Sequence, residues 1–191
     1  MTIKRATIQE QSFIQRLRDG DKVAAREFYA LYADYLAGIC ARDIADEEDQ
    51  KDVFQDAFVH ILTHINDFQY RGNGSLLAWA AKVTVNTSLK FLRTLQRHEF
   101  VSLDSDLSDE PEEDDPPVSD IPPDVIQQML SQLPTGYRTV LNLYVFEGKS
   151  HKEIAQLLDI KENSSASQLH RAKNLLAKMI QKYHNDNSSQ L

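Results

Sequence analysis

Between residues 101 and 124 the chain reads VSLDSDLSDEPEEDDPPVSDIPPD, and no other stretch restricts its possible folds as strongly. The segment holds ten of the 29 acidic residues, none of the 21 basic ones and five of the six prolines. Carboxylates at that density repel one another, prolines remove backbone donors, and too few apolar side chains remain to bury a core. An extended, flexible linker is the expected outcome. A chain of 191 residues interrupted in this way has to build two small cores rather than one. The expected domains are therefore residues 1–100 and 125–191, with the linker at 101–124. The linker also accounts for the net charge of -8, because without it 21 basic residues face 19 acidic ones. Residues 1–100 hold 13 basic and 14 acidic side chains, and residues 125–191 hold 8 and 5. The linker reads either as a solvated spacer or as a nucleic-acid mimic that screens basic faces of its own flanking domains. Each lobe has to be judged by its own charges.

Hydrophobic residues make up 41% of the chain, enough for two cores, while 8% aromatic content and six glycines argue against an all-β fold. Apolar spacing on both sides of the linker is helical, so the expected class is all-α. One cysteine, Cys40, excludes a disulfide framework and a cysteine-based zinc site within the chain. Placed between Ile39 and Ala41, it reads as a small buried apolar residue. The opening MTIKRATIQEQSF lacks the apolar stretch of a signal peptide, and no run is long enough to span a bilayer. An intracellular, cytoplasmic protein without direct membrane insertion is expected.

In the C-terminal lobe, Asp124 with Gln127 is placed to cap a short helix that stops at Leu133 and Pro134. Thr135 opens a second helix, closed by Gly148. Ser150 and Glu153 have the spacing of a capping box, followed by an apolar face of Ile154, Ala155, Leu157 and Leu158. A fourth helix spans about Glu162 to Lys182 and completes a helix-turn-helix with the third. On this last helix Leu169, Ala172, Leu176, Met179 and Ile180 share one side with Ser165. Ser165 thus points at the core, and Ser165→Val is expected to stabilise the lobe. The opposite side presents Asn163, Ser167, His170, Arg171, Asn174 and Lys178, with Ser164 at its margin. That face carries donors, acceptors and cations without one carboxylate, which suits base edges and phosphates. Arg171 can pair bidentately with a guanine. His151 and Lys152, at the start of the preceding helix, are placed to meet phosphates. His170 has no second histidine at metal-ligand spacing, so no metal is expected.

In the N-terminal lobe, residues 21 to 40 read as a helix or two built on Phe28, Leu31, Tyr32, Tyr35, Leu36 and Ile39. A long helix follows, with Val53, Phe54, Ala57, Phe58, Ile61, Leu62 and Ile65 on one face. Its opposite face shows Asp49, Asp52, Asp56, Val59 and Thr63, with Gln55 at the edge. Carboxylates from Asp46 to Asp49 complement the helix dipole, an effect that fades within the first turn or so. Asp52 and Asp56 lie deeper, beside an outward Val59, and read as a docking surface for a basic partner. Then a glycine-flanked loop from Arg71 to Gly74 leads through a Ser75 cap into another helix. Its core face is Leu76, Leu77, Ala80, Val83, Thr84 and Phe91. A second stripe collects Trp79, Lys82, Asn86, Lys90, Arg93 and Arg97. From Phe68 to His98 there are five basic residues and no acidic one. A cationic stripe with an aromatic at one end suits a single strand of nucleic acid. Trp79, on the border of stripe and core, reads equally as a packed ring and as a stacking platform.

With both lobes in view, the chain resembles a small sigma-70-type sigma factor of the extracytoplasmic function (ECF) class. EDQKDVFQDAFVHIL is similar to the region 2 helix that binds core polymerase. YRGNGSLLAWAAKVTVNTSLKFLR is similar to the promoter-melting segment after it. LPTGYRTVLNLYVFEGKSHKEIAQLLDIKENSSASQLHRAKNLL is similar to region 4. The resemblance implies that Asp49, Asp52, Gln55, Asp56 and Val59 bind the clamp coiled coil of the RNA polymerase β′ subunit. It implies that Tyr70, Arg71, Gly72 and Asn73, with Trp79, Lys82, Asn86, Lys90, Arg93 and Arg97, hold the unstacked non-template strand of the −10 element. His151, Lys152, Asn163, Ser164, Ser167, His170 and Arg171 then read the −35 element as duplex. The β flap of core polymerase and an anti-sigma factor are further implied partners, and the linker is implied to thread through polymerase near the RNA exit path. The chain departs from the family in three places. Ser165 and Ala166 stand where a bulky apolar residue and a cation are common, Asp159 replaces a usual turn glycine, and the loop DFQYRGNG is one or two residues longer.

The implied function is promoter recognition, −10 melting and initiation by core polymerase, with no catalytic chemistry and no cofactor of the chain's own. A stand-alone helix-turn-helix regulator with an N-terminal sensor or dimerisation domain is the alternative. An enzyme ranks third, since the sequence has no glycine-rich phosphate loop, nucleophile–base pair or metal cluster. If the linker screens the lobes, free protein binds promoter duplex poorly, and neutralising the ten linker carboxylates strengthens that binding at low salt. The gain shrinks as salt rises, because exposed charges screen over about 10 Å at 0.1 M. Binding titrations across a salt series measure it, and a gain absent at every salt concentration makes the linker a plain spacer.

Overall fold

The computed structural model describes residues 2–95 and 121–188. Arg97 and residues 101–120 of the expected linker lie outside that range. Among the described residues the protein is all-α, with eight helices, one 3-10 turn and no strand. The helices are α1 (Thr2–Arg18), α2 (Lys22–Asp43), α3 (Glu47–Thr63), α4 (Ser75–Leu95), α5 (Pro123–Gln132), α6 (Thr135–Val145), α7 (His151–Leu158) and α8 (Glu162–Ser188). The chain divides into two compact units, the first ending at Leu92 and the second beginning at Arg93. No described helix is long and apolar enough to cross a membrane.

In the first unit α1 and α2 meet at a tight corner. Gly20 adopts φ 74° there, and Gly20 N–H donates to Leu17 O while Asp21 N–H donates to Arg16 O. This is the paired bonding of a glycine-terminated helix, at a left-handed position that glycine enters without a Cβ penalty. Asp21 then caps α2 by accepting from Val23 N–H at 2.7 Å. Arg16 ties the corner together through Asp21 at 2.8 Å and Glu27 at 2.9 Å. Its guanidinium, and behind it the Val23 amide, holds the Asp21 carboxyl below its ordinary range. The stabilisation is therefore present above the usual aspartate range and is lost as pH falls through the lowered folded value.

Residues 22–43 form one helix rather than two, with Ala24, Phe28, Leu36, Ile39 and Cys40 buried. Leu31 and Tyr35, expected in the core, are instead 65% and 56% exposed. Both lie at the margin of the apolar side of α2, whose buried residues turn toward Leu36, Cys40 and Asp43. Asp46 caps α3 through the amides of Glu48 and Asp49, and Val53, Ala57 and Ile61 of that helix are buried. Phe54 and Phe58 are half-buried and pack edge-on with Tyr29 of α2. Cys40, Ile44, Val53 and Leu92 form one cluster shared by α2, α3 and α4. Leu76, Ala80 and Thr84 of the expected α4 core face are buried, joined by Val85, Ser88, Leu89 and Leu92.

In the second unit Ile121 is already buried and α5 begins at Pro123, inside the stretch expected to be linker. Pro122 and Pro123 preset the helical start, and no side chain caps it, so the expected Asp124 cap is absent. Asp124 sits in the first turn, where its charge complements the dipole. At the other end of α5, the buried Arg138 of α6 donates from Nη1 to Ser131 O at 2.8 Å and Leu133 O at 3.3 Å. A cation thus satisfies carbonyls that the helix end leaves orphaned. The α7 capping box is present in both directions. α8 extends beyond the expected end at Lys182 to Ser188.

Asp159, between α7 and α8, adopts φ 56° and ψ 46°, the left-handed region, and is the only described non-glycine residue with positive φ. For a residue with a Cβ that conformation costs roughly 1–2 kcal/mol, softened for aspartate. Asp159→Gly relieves it but loosens the unfolded chain by roughly 0.5–1 kcal/mol. The net expectation is a gain of up to about 0.5 kcal/mol, seen as a raised denaturation midpoint at unchanged m-value.

Candidate docking and nucleic-acid interfaces

The outer side of α3 assembles the predicted acidic ridge. Asp52, Gln55 and Asp56 are exposed, Asp49 is half-buried, and Val59 is 60% exposed between them. No described cation pairs with Asp52 or Asp56. Asp49 has a local role as well, since its amide donates to the Asp46 cap at 3.0 Å. Tyr29, which sequence reasoning passed over, is exposed on α2 and packs on Phe54 and Phe58 of α3, at 6.1 and 5.4 Å between ring centres. One position from Phe28, it sits on the flank of the buried line of α2, where the apolar periodicity alone is ambiguous.

The loop from Phe68 to Gly74 is held at both ends by α1. Arg18 Nη2 donates to Phe68 O at 2.6 Å. Gly74 N–H donates to both carboxylate oxygens of Glu10 at 3.1 Å. Ser75 does not cap α4 as expected. Its hydroxyl accepts from Arg71 N–H at 3.2 Å and closes the loop on itself. Gly72 and Gly74 adopt φ 119° and 83°, values that explain the glycine-flanked sequence. Arg71 and Asn73 are exposed and Gly72 is half-buried, whereas Tyr70 turns inward with a buried hydroxyl. That hydroxyl has no hydrogen-bond partner among the described residues.

Along α4, Lys82, Asn86, Lys90 and Arg93 are all exposed, while Arg97 lies outside the described residues. Trp79 is half-buried and packs on Phe68 with ring centres 5.3 Å apart. The structure thus gives it a packing partner and an open side. α1 is the part of this site that the sequence reading did not foresee. Its signal was present in Ile14 and Leu17, both buried, with Glu10 one turn before Ile14.

In the second unit Lys152, Asn163 and Ser167 are exposed, and Ser164, His170 and Arg171 are half-buried. Ser167 donates its hydroxyl to Asn163 O at 2.9 Å, and His170 shares a 3.1 Å contact with Asn174 Nδ2. His151 is engaged more than a phosphate contact requires. Its ring stacks on Tyr144 at 4.9 Å and 20°, and its Nδ1 lies 3.0 Å from Ser165 Oγ. Ser165 is fully buried, as expected of a core-facing position, but it is satisfied. The expectation that Ser165→Val stabilises the lobe is thereby reversed. Valine would remove the partner of a ring nitrogen on the half-buried His151, losing a hydrogen bond worth about 0.5–1.5 kcal/mol. Tyr144, Val145 and Phe146 at the end of α6 add an exposed apolar group that the sequence reading did not single out.

Comparison with known proteins gives two family matches, Sigma-70 region 2 over residues 28–98 and Sigma-70, region 4 over residues 124–176. The chain is similar to the RNA polymerase sigma-H factor of Pseudomonas aeruginosa, at 27% identity over 91% of this chain and 94% of that protein. It is also similar to the ECF RNA polymerase sigma-E factor of Haemophilus influenzae, at 24% identity over 91% and 96%. Among solved structures, the sigma factor RpoE crystallised with the anti-sigma factor NepR from Bartonella quintana aligns at 17% identity and TM-score 0.48. That alignment covers 82% of this chain and 96% of the other.

The Glu10 contact makes a direct prediction about the loop. In Glu10→Ala the Gly74 amide loses a charge-assisted partner, and its hydrogen exchange speeds up about tenfold relative to amides in the middle of α4. Unchanged protection at Gly74 would remove Glu10 from the account of the loop.

Proposed function

The chain belongs to the sigma-70 family, as an RNA polymerase sigma factor of the ECF class, and from that premise we propose which of its surfaces do the work. Such a protein binds core RNA polymerase and directs promoter recognition, −10 melting and transcription initiation. We assign core binding to the α3 ridge of Asp49, Asp52, Gln55, Asp56 and Val59, facing the β′ clamp. The −10 single strand is assigned to the loop from Tyr70 to Asn73 and to the α4 stripe from Trp79 to Arg97. The −35 duplex is assigned to α8 through Asn163, Ser164, Ser167, His170 and Arg171, with Lys152 on the backbone. The exposed Tyr144, Val145 and Phe146 suit the β flap.

One observation carries this reading. A single small lobe sets two unpaired carboxylates around an exposed valine on α3 and four exposed cationic or amide groups on the next helix. A sensor or dimerisation domain needs neither surface, whereas a protein joining a basic coiled coil to a nucleic-acid strand needs both. On this reading the second domain begins by Ile121 rather than at 125, the segment between the two lobes spans polymerase, and the protein works in the bacterial cytoplasm. It contributes no catalytic group of its own. An anti-sigma factor is the proposed regulator, by family resemblance.

Purified protein added to core polymerase is expected to produce promoter-dependent initiation in vitro. Asp52→Lys with Asp56→Lys places like charges against the clamp, which costs several kcal/mol. Affinity for core is expected to fall at least about tenfold, with helical content unchanged by circular dichroism. Unaltered affinity sinks the assignment of α3.

A further inference from the structure

We propose that His151 and Ser165 are a positioning pair that sets the recognition helix α8 against α7, and that discrimination among −35 sequences depends on it. This rests on the reading of α8 as the −35 helix. It replaces the expected role of His151, a phosphate contact, with one directed inward.

The imidazole links three of the four helices of the second unit. It is carried by the first residue of α7, stacks on Tyr144 of α6 at 4.9 Å and meets Ser165 of α8 at 3.0 Å. Ser165 lies in the first turn of α8, between Asn163 and Ser167, so a change of tilt there moves every base-facing side chain of that turn. The two residues are fourteen apart in sequence, and the contact spans the helix-turn-helix corner. An apolar contact at this point would be tolerant of rotation. A hydrogen bond weakens steeply as its angle closes, so it fixes an orientation. The serine hydroxyl can donate or accept, so either neutral tautomer of His151 completes the bond. The short Asp159 turn joins α7 to α8 at one end of the corner, and the His151–Ser165 contact ties the start of α7 to the first turn of α8.

Amide isosteres separate this role from a phosphate contact. His151→Asn keeps a polar atom near Nδ1 and removes Nε2, whereas His151→Gln keeps one near Nε2 and removes Nδ1. Both abolish the stack on Tyr144 equally. The experiment is transcription by holoenzyme from a set of −35 variants, read as the ratio between the best and the poorest promoter. A misfolded fraction lowers every promoter by one factor and leaves this ratio unmoved. Loss of one hydrogen bond corresponds to about fivefold. Ser165→Ala and His151→Gln are each expected to compress the ratio by about that factor. The double variant compresses it no further, and His151→Asn preserves it. A ratio kept by His151→Gln or by Ser165→Ala overturns the pair. A wild-type protein with no −35 dependence sinks the reading of α8 itself, a failure visible before any variant is made.

Discussion

Carboxylates and phosphates cannot share a face, and a sigma factor has to present both signs within a lobe of fewer than a hundred residues. The arrangement in unit one meets this by giving each sign its own helix. α3 opens with acidic residues that also serve its dipole, and α4 runs from Ser75 to Leu95 without one carboxylate. Surface charges are screened over about 10 Å at moderate salt, so adjacent helices of opposite sign can keep distinct partners. The buried line that joins them, through Cys40, Val53 and Leu92, is what holds the two faces in a fixed relation.

Small lobes bury too little apolar surface to rely on packing alone. Here polar pins at helix ends complete the job. Arg16 with Asp21 and Glu27 locks the α1–α2 corner. Arg138 collects the last carbonyls of α5. Ser150 and Glu153 cap α7 reciprocally, and the Ser150 amide holds the Glu153 carboxyl below its ordinary range. Each of these contacts sits where a helix starts or stops, so each lobe is reinforced at the points where its helices leave backbone groups orphaned.

The helices, the capping box and the exposed faces were legible in the sequence because they follow from local rules of period and cap chemistry. Asp52, Asp56, Lys82 and Lys90 stand where periodicity put them. What escaped was tertiary. Leu31 and Tyr35 satisfy a helical period yet are exposed, at the margin of an apolar side whose buried residues turn toward Leu36 and Cys40. Ser75 looked like a cap until Arg71 and Glu10 were seen to have taken the roles around it. Ser165 was placed in the core correctly, but its partner lies fourteen residues away, beyond the reach of any local rule. Arg138, to which the sequence reading gave no role, is buried and donates to the carbonyls at the end of α5.

The environment of Cys40 carries a consequence for its reactivity. Burial pushes the thiol up to about 11, and the residue is fully enclosed by its neighbours. At neutral pH roughly one molecule in ten thousand holds a thiolate, the form that oxidants and electrophiles attack. Cys40 is therefore a poor target for oxidants and for thiol–disulfide exchange while the first unit is folded. The same enclosure makes the lone sulfur a native reporter, since its alkylation proceeds only when the first unit opens.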